Sequence, residues 1–464
     1  MALFDQIIRG ANVVLEHEVR AADLGIRSGK IAAIAASGAM ETKTADAVIE
    51  ARGLFLMAGM IDAHVHLNEP GLEAWEGFRS GSAALAAGGC TAYLDMPLNG
   101  IPPTVSVRAL QLKMDCANGS SHVDYACWGG LVPGHLDDLA PMSEAGVIGF
   151  KAFMSAPGDP SEEAFREVDD ETLLEGMKRI AKLGKVLALH AERESIVAKL
   201  TKEKLAAGTV SAADYSASRP IAAEVEAVQK ALSFARLTGC ALHFVHISSS
   251  EAVGVIQKAK AEGLDVTLET CPHYLALTDE DLAHMGPVAK CAPPLRSAAE
   301  QEALWRAVEN GRIDMIASDH SPCDSAMKAD TSNLFEAWGG ISGAQSTLEL
   351  MIDEGHLKRG IPLPQLSRML SAEPARRFGL DAAKGSIRIG ADADLVLIDL
   401  NAAYRLEREQ LLYRHKHSPY VGRTFGCKVR MTISRGKVVY TAESGVTEEA
   451  DGRFIAASAG AKCK

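Results

Sequence analysis

Four histidines, one lysine and one aspartate are the residues of this chain whose types and spacing could do chemistry. His64 and His66 close the run MAGMIDAHVH, Lys151 lies in VIGFKAF, His190 closes KVLALH, His246 closes ALHFVH and Asp319 closes DMIASD. Residues two apart on an extended strand point to the same face, so His64 and His66 can grip one cation together with the Asp319 carboxylate. His190 and His246 can hold a second ion beside it. An ammonium has three donors and no acceptor, so Lys151 must change chemically before it can join them. A lysine buried at a strand end loses proton affinity, and its neutral amine can take up carbon dioxide as a carbamate. The two oxygens of such a carboxylated Lys151 could bridge both ions. A hydroxide shared by two ions roughly 3.5 to 4 Å apart is a nucleophile at neutral pH, and an ion also polarises a carbonyl. Asp319 could then take a proton from the attacking group and pass it to a departing nitrogen. The chemistry expected is hydrolysis.

An HVH pair by itself fits two satisfied strand histidines equally well, and most lysines keep their ammonium at the surface. The weight comes from position, because all six groups stand at or near the ends of five apolar runs. His17, His122, His284 and His356 lie outside this pattern and are read as surface or packing residues.

The runs that carry these residues belong to a series of eight: MAGMIDAHVH, CTAYLDM, VDYACWG, VIGFKAF, KVLALH, ALHFVH, DVTLET and DMIASD. Between them lie amphipathic segments such as ETLLEGMKRIAKLGK and AAEVEAVQKALSFARLTG, each ending near a glycine suited to a C-cap. Strand and helix alternating eight times predict an α/β fold of the (βα)8 TIM-barrel type, whose catalytic groups sit at the C-terminal strand ends. The two chain ends have a different texture. IIRGANVV and ADLGIRSGKIAAIAA at one end, with SIRIGADADLVLIDL and KVRMTISRGKVVYT at the other, read as short strands that together form a small β-sandwich. The expected boundaries are 1–55 and 383–445 for the sandwich, 56–382 for the barrel and 446–464 for a loosely ordered tail.

The 464 residues suit one barrel with an accessory unit, and 47% hydrophobic with 23% charged residues is ordinary globular composition. A formal charge of −12 argues against nucleic acid or an anionic membrane surface as partner. The nine cysteines are scattered, with no C-x-x-C pair, and suit reduced thiols in the cytoplasm. The N-terminal MALFDQIIRGANVVLEHE lacks the pattern of a secretory signal, and no charge-free apolar stretch reaches membrane-spanning length.

GMIDAHVHLNEPG, GFKAF, ALHAE, FVHISS, ETCPHYL and ASDHSP resemble the cyclic-amidohydrolase branch of the amidohydrolase superfamily over nearly the whole chain. That resemblance implies a barrel with a β-sandwich from both chain ends, a binuclear metal centre on the six residues above, and a carboxylated Lys151. Dihydroorotases, hydantoinases, dihydropyrimidinases and allantoinases make up the branch. HLNEPGLEAWEGFRSG, TAYLDMPLNGIPPT, KCAPPLR, EAWGGISGAQ and RHKHSPYVGR are similar to the allantoinase group, which implies ring opening of allantoin to allantoate. Asn68 stands where dihydroorotases carry a substrate-gripping arginine, and Ala156 where hydantoinases and dihydropyrimidinases carry an oxyanion-binding tyrosine. A neutral ring needs amide donors and acceptors rather than a counter-charge. Asn68, Asn99, Ser321 and the backbone at Cys291, Ala292, Gly339 and Gly340 are the expected substrate contacts. SAPGDPSEE and SPCDSAMKADTSN are read as lids. Zinc suits the imidazole and oxygen donors, with cobalt or manganese as alternatives. The family also implies a homo-oligomer, tetramer or dimer. Two other readings stay open: a hydantoinase or dihydropyrimidinase acting on other cyclic ureides, and a non-catalytic scaffold homologue.

Overall fold

The computed structural model describes residues 2–158, 164–329 and 331–456. Its centre is a barrel of parallel strands: Met60–Val65, Cys90–Asp95, Asp124–Cys127 continued by Gly129–Gly130, Phe150–Phe153, Val186–His190, Ala241–Phe244, Val266–Thr270 and Met315–Ile316. These are the eight predicted runs in their predicted order. Nearly every residue of these strands is buried, which explains why they read as continuous apolar runs rather than alternating ones. The third strand is split at Trp128. Its first half pairs with the second strand and its second half with the fourth. The ring closes where Val65 pairs in parallel with His320 and the His66 amide donates to the His320 carbonyl at 2.8 Å.

Helices pack outside the ring in the predicted gaps. Asp170–Lys182 shows why: Leu173, Gly176, Met177 and Ile180 form its buried stripe, Asp169 caps its N-terminus, and acidic and basic residues fill its first and last turns. Ile221–Thr238 stops at Gly239, whose φ of 69° favours a residue without a Cβ.

The two chain ends meet in one nine-stranded sheet. Phe4–Val14 forks, pairing with Ala45–Glu50 along its first half and with Phe55–Ala58 near its end. Phe55–Ala58 then lies antiparallel to Leu395–Asp399, and that pairing stitches the N-terminal to the C-terminal segment. Lys384 ties this sheet to the barrel by donating to Asp124 at 2.9 Å and Asp394 at 2.6 Å.

The segment after Gly445 differs from its expected looseness. The Tyr125 amide donates to the Arg453 carbonyl at 2.9 Å and the Ile455 amide to the Tyr125 carbonyl at 2.7 Å. Residues 453–455 thus run along the third barrel strand and satisfy backbone groups there. The end of that tail, 457–464, lies outside the described residues, as do 159–163 of the first expected lid and Asp330 of the second. All eight cysteines among the described residues are free. No helix among them is long and apolar enough to cross a membrane.

Candidate active site and metal centre

The C-terminal strand ends bring His64, His66, His190, His246 and Asp319 onto one cavity of about 610 Å³. Ligand atoms of His64, His66 and Asp319 lie within 4.8 Å of one another. The Asp319 Oδ1 is 3.2 Å from His64 Nε2 and 3.5 Å from His66 Nε2. Across the mouth His190 Nδ1 faces His246 Nε2 at 2.9 Å. The ring centroids of His64 and His246 are 5.5 Å apart, so the two halves adjoin. Asp319 and His246 have φ of 46° and 40°, a left-handed backbone at which the chain leaves its strand and turns the side chain inward.

Each half is held from behind by a buried carboxylate. Glu269, at the end of the seventh strand, faces His64 Nδ1 at 2.6 Å and His243 Nε2 at 3.0 Å. Burial alone would raise the Glu269 pKa, but His64 and His243 outweigh it and hold the group at about 2. Glu192 faces His190 Nε2 at 2.8 Å and pairs with Arg219. Burial opposes its ionisation too, and Arg219 with His190 bring it down to about 2. With Nδ1–H of His64 directed at Glu269 and Nε2–H of His190 directed at Glu192, the ring nitrogens facing the cavity carry lone pairs. The His64 lone pair then points at a carboxylate oxygen of Asp319. Acceptors aimed at acceptors are the arrangement a cation between them resolves. Burial works against the Asp319 charge, and protonation of His64, His66 or His246 in place of a bound cation would hold its carboxyl far below the usual range.

Lys151 is fully buried, its Nζ has no hydrogen-bond partner among the described residues, and it sits 4.8 Å from the Phe153 ring centre. Burial pushes it down to about 8, against the pull of Asp319 and Glu269. A lysine with this affinity spends part of its time as a free amine at neutral pH, the form that reacts with carbon dioxide.

The expected substrate contacts divide. Asn99, Ala292, Ser321 and Gly339 line the cavity, as does Ala156. Asn68 is turned into the protein and donates to the Pro322 carbonyl at 3.1 Å. The Cys291 carbonyl accepts from Tyr215 Oη at 2.9 Å. Gly340 packs behind the wall, where an added Cβ would come within 2.5 Å of the Ser321 carbonyl oxygen.

Sequence reasoning missed the supports. Glu269 had a visible signal, since it is the last residue but one of a predicted barrel strand to which no role was given. Glu192 stands two residues after His190 in ALHAE, on the same face of an extended chain. Lys290 and Lys328 had none. Lys290 donates to the carbonyls of Phe335 at 3.2 Å and Ala337 at 2.5 Å, and Lys328 to those of Pro287 and Trp338, both at 2.8 Å. Together they clasp the segment 335–338 against the cavity.

The amidohydrolase family matches residues 55–439, which takes in the whole barrel and the returning strand Leu395–Asp399. The chain belongs to that family. This amidohydrolase is 48% identical to an allantoinase of Rubrobacter xylanophilus over 458 residues, covering 98% of both chains. It is 46% identical to an allantoinase of Bacillus licheniformis over 457 residues, 97% of this chain and 99% of the other. Among solved structures, an L-hydantoinase (dihydropyrimidinase) from Arthrobacter aurescens superposes with a TM-score of 0.94 at 35% identity, over 98% of this amidohydrolase and all of that chain.

Proposed function

We propose that this amidohydrolase opens the ring of allantoin by hydrolysis to give allantoate. The observation that carries the reading is a metal-type cluster of histidines and Asp319 on a cavity whose charged side chains are already engaged by neighbouring protein groups, in a chain whose near-full-length relatives are allantoinases. Arg219 is engaged by Glu192, Lys290 by two backbone carbonyls, and Glu336 accepts from Asn333 at 2.9 Å. A neutral ring with a ureido arm suits such a pocket better than a carboxylate substrate would. Asn99 and Ser321 offer amide and hydroxyl groups to it, with the backbone at Ala292 and Gly339.

The donor set fits two divalent ions. His64, His66 and Asp319 would hold one and His190 and His246 the other, and Lys151 in carboxylated form would add an anionic oxygen donor. Zinc suits these donors, and cobalt or manganese would fit the same ligands. When bound, the ions supply an activated water at neutral pH and polarise the ring carbonyl. Asp319, ionised in this setting, accepts the proton of the attacking water on its carboxylate and delivers it to the departing ring nitrogen. Trp338 and Phe335, clasped by the two lysines, wall off solvent from the ring. The free cysteines among the described residues suit a cytoplasmic enzyme. Its assembly is read as a homo-oligomer, tetramer or dimer, which light scattering on the purified chain would test.

Turnover of allantoin, hydantoin and dihydrouracil by metal-loaded protein tests the reading. Conversion of allantoin alone is expected. A second reading, a hydantoinase or dihydropyrimidinase, draws on the Arthrobacter aurescens neighbour, and preference for a simple ring would support it. Absence of turnover in protein carrying two ions would point to a scaffold.

A further inference from the structure

Beside the proposed centre stands a second set of donors that ring opening leaves unused. Cys271 and His273 follow directly on the seventh barrel strand, where the chain turns into the short helix Pro272–Ala276. Ligand atoms of Cys271, His273 and Asp319 lie within 4.8 Å of one another, and all three residues are buried. His273 is only 1% exposed, yet neither of its ring nitrogens has a hydrogen-bond partner among the described residues. A buried imidazole with two unsatisfied nitrogens is a group waiting for an occupant, because burial removes the water that would otherwise satisfy it. Its neighbours contribute one soft sulfur and one carboxylate.

We propose that Cys271, His273 and Asp319 form a third cation site, selective for a thiophilic divalent ion such as zinc or cadmium, whose filling inhibits the enzyme. Sulfur with imidazole selects these ions over magnesium or manganese, which prefer oxygen donors. Asp319 lines the cavity, so an ion reaches the site by the route the substrate takes. On binding, a metal–sulfur bond forms as the Cys271 thiol proton leaves to solvent. Inhibition follows because Asp319 is shared: a carboxylate turned toward Cys271 and His273 is no longer placed to carry the proton. That last step rests on the role given to Asp319 above, whereas occupancy of the site does not.

The test is a cadmium titration of enzyme already carrying its activating metal. Bound metal is counted by mass spectrometry, and sulfur-to-cadmium charge transfer is followed in the ultraviolet. One further ion per chain should bind with a new absorption band, and allantoin turnover should fall in step; magnesium should do neither. In Cys271→Ser the band should vanish and the inhibiting cadmium concentration should rise at least about tenfold, as expected when a metal site loses a donor. If that variant fails to fold, His273→Gln serves instead, with the same rise in inhibiting concentration. A band that survives in Cys271→Ser, or inhibition unchanged in both variants, overturns the site. Binding and the band without any loss of turnover would keep the site but overturn its inhibitory role. A chain that does not hydrolyse allantoin leaves both binding readouts intact, so failure of the proposed function is distinguishable from failure of the site.

Discussion

His64 Nδ1 lies 2.6 Å from Glu269 Oε1, and both groups are buried to within 1% of full occlusion. The contact fixes the tautomer that turns Nε2 toward Asp319. Glu269→Gln keeps the shape but presents either an amide donor or a weaker acceptor to that nitrogen. We expect metal affinity to fall about 10- to 100-fold, with activity recovering at high metal concentration. Metal content after dialysis against a graded chelator measures this, and unchanged retention would refute the role.

Lys151 is the one buried lysine at the site with no partner for its Nζ among the described residues. Lys151→Ala should lose metal and turnover together. His356, whose Nδ1 only braces the Ile361 carbonyl at 2.8 Å, provides the control. His356→Ala should keep near-normal turnover, and an equal loss in both variants would sink the assignment of the centre.

Gly340 has no room for a side chain, since a Cβ would press on the Ser321 backbone two residues from Asp319. Gly340→Ala should therefore displace the cavity wall and raise KM severalfold or more, while metal content stays normal. Steady-state kinetics beside metal analysis separates the two effects.

Glu349 is buried between the barrel and the terminal sheet, where it accepts from the Val429 amide at 2.7 Å and from Tyr404. Burial raises it from 4.5 to about 7, against the pull of those donors. The folded protein thus holds a proton there that the unfolded chain releases above about pH 4.5. The stability this contributes is complete below the unfolded value and is lost as pH rises to about 7. Glu349→Gln, which cannot ionise, should match the parent near pH 5 and exceed it in Tm above pH 7. Melting curves across that range decide it, and a constant difference between the two proteins would contradict the assignment.

Much of the fold was legible in the chain because barrel strands buried on both faces must be short apolar runs, and surface helices must carry a stripe and a cap. The residues converging on the cavity were legible for a related reason: His64, His66, His190, His246 and Asp319 sit at strand ends, where the barrel allows one direction for each. Tertiary structure alone decided which way loop residues face. Asn68 and Gly340 were expected at the substrate, yet one turns to Pro322 and the other packs behind Ser321, because loops take their orientation from distant backbone rather than from a repeating period. It also decided the supports. Glu269 meets His64 across 205 positions of sequence, and Lys290 meets Ala337 across 47, distances at which no local pattern records a partner. Strand periodicity is a local property of the chain, whereas pairing of buried charges is settled only when the barrel closes and removes water from both.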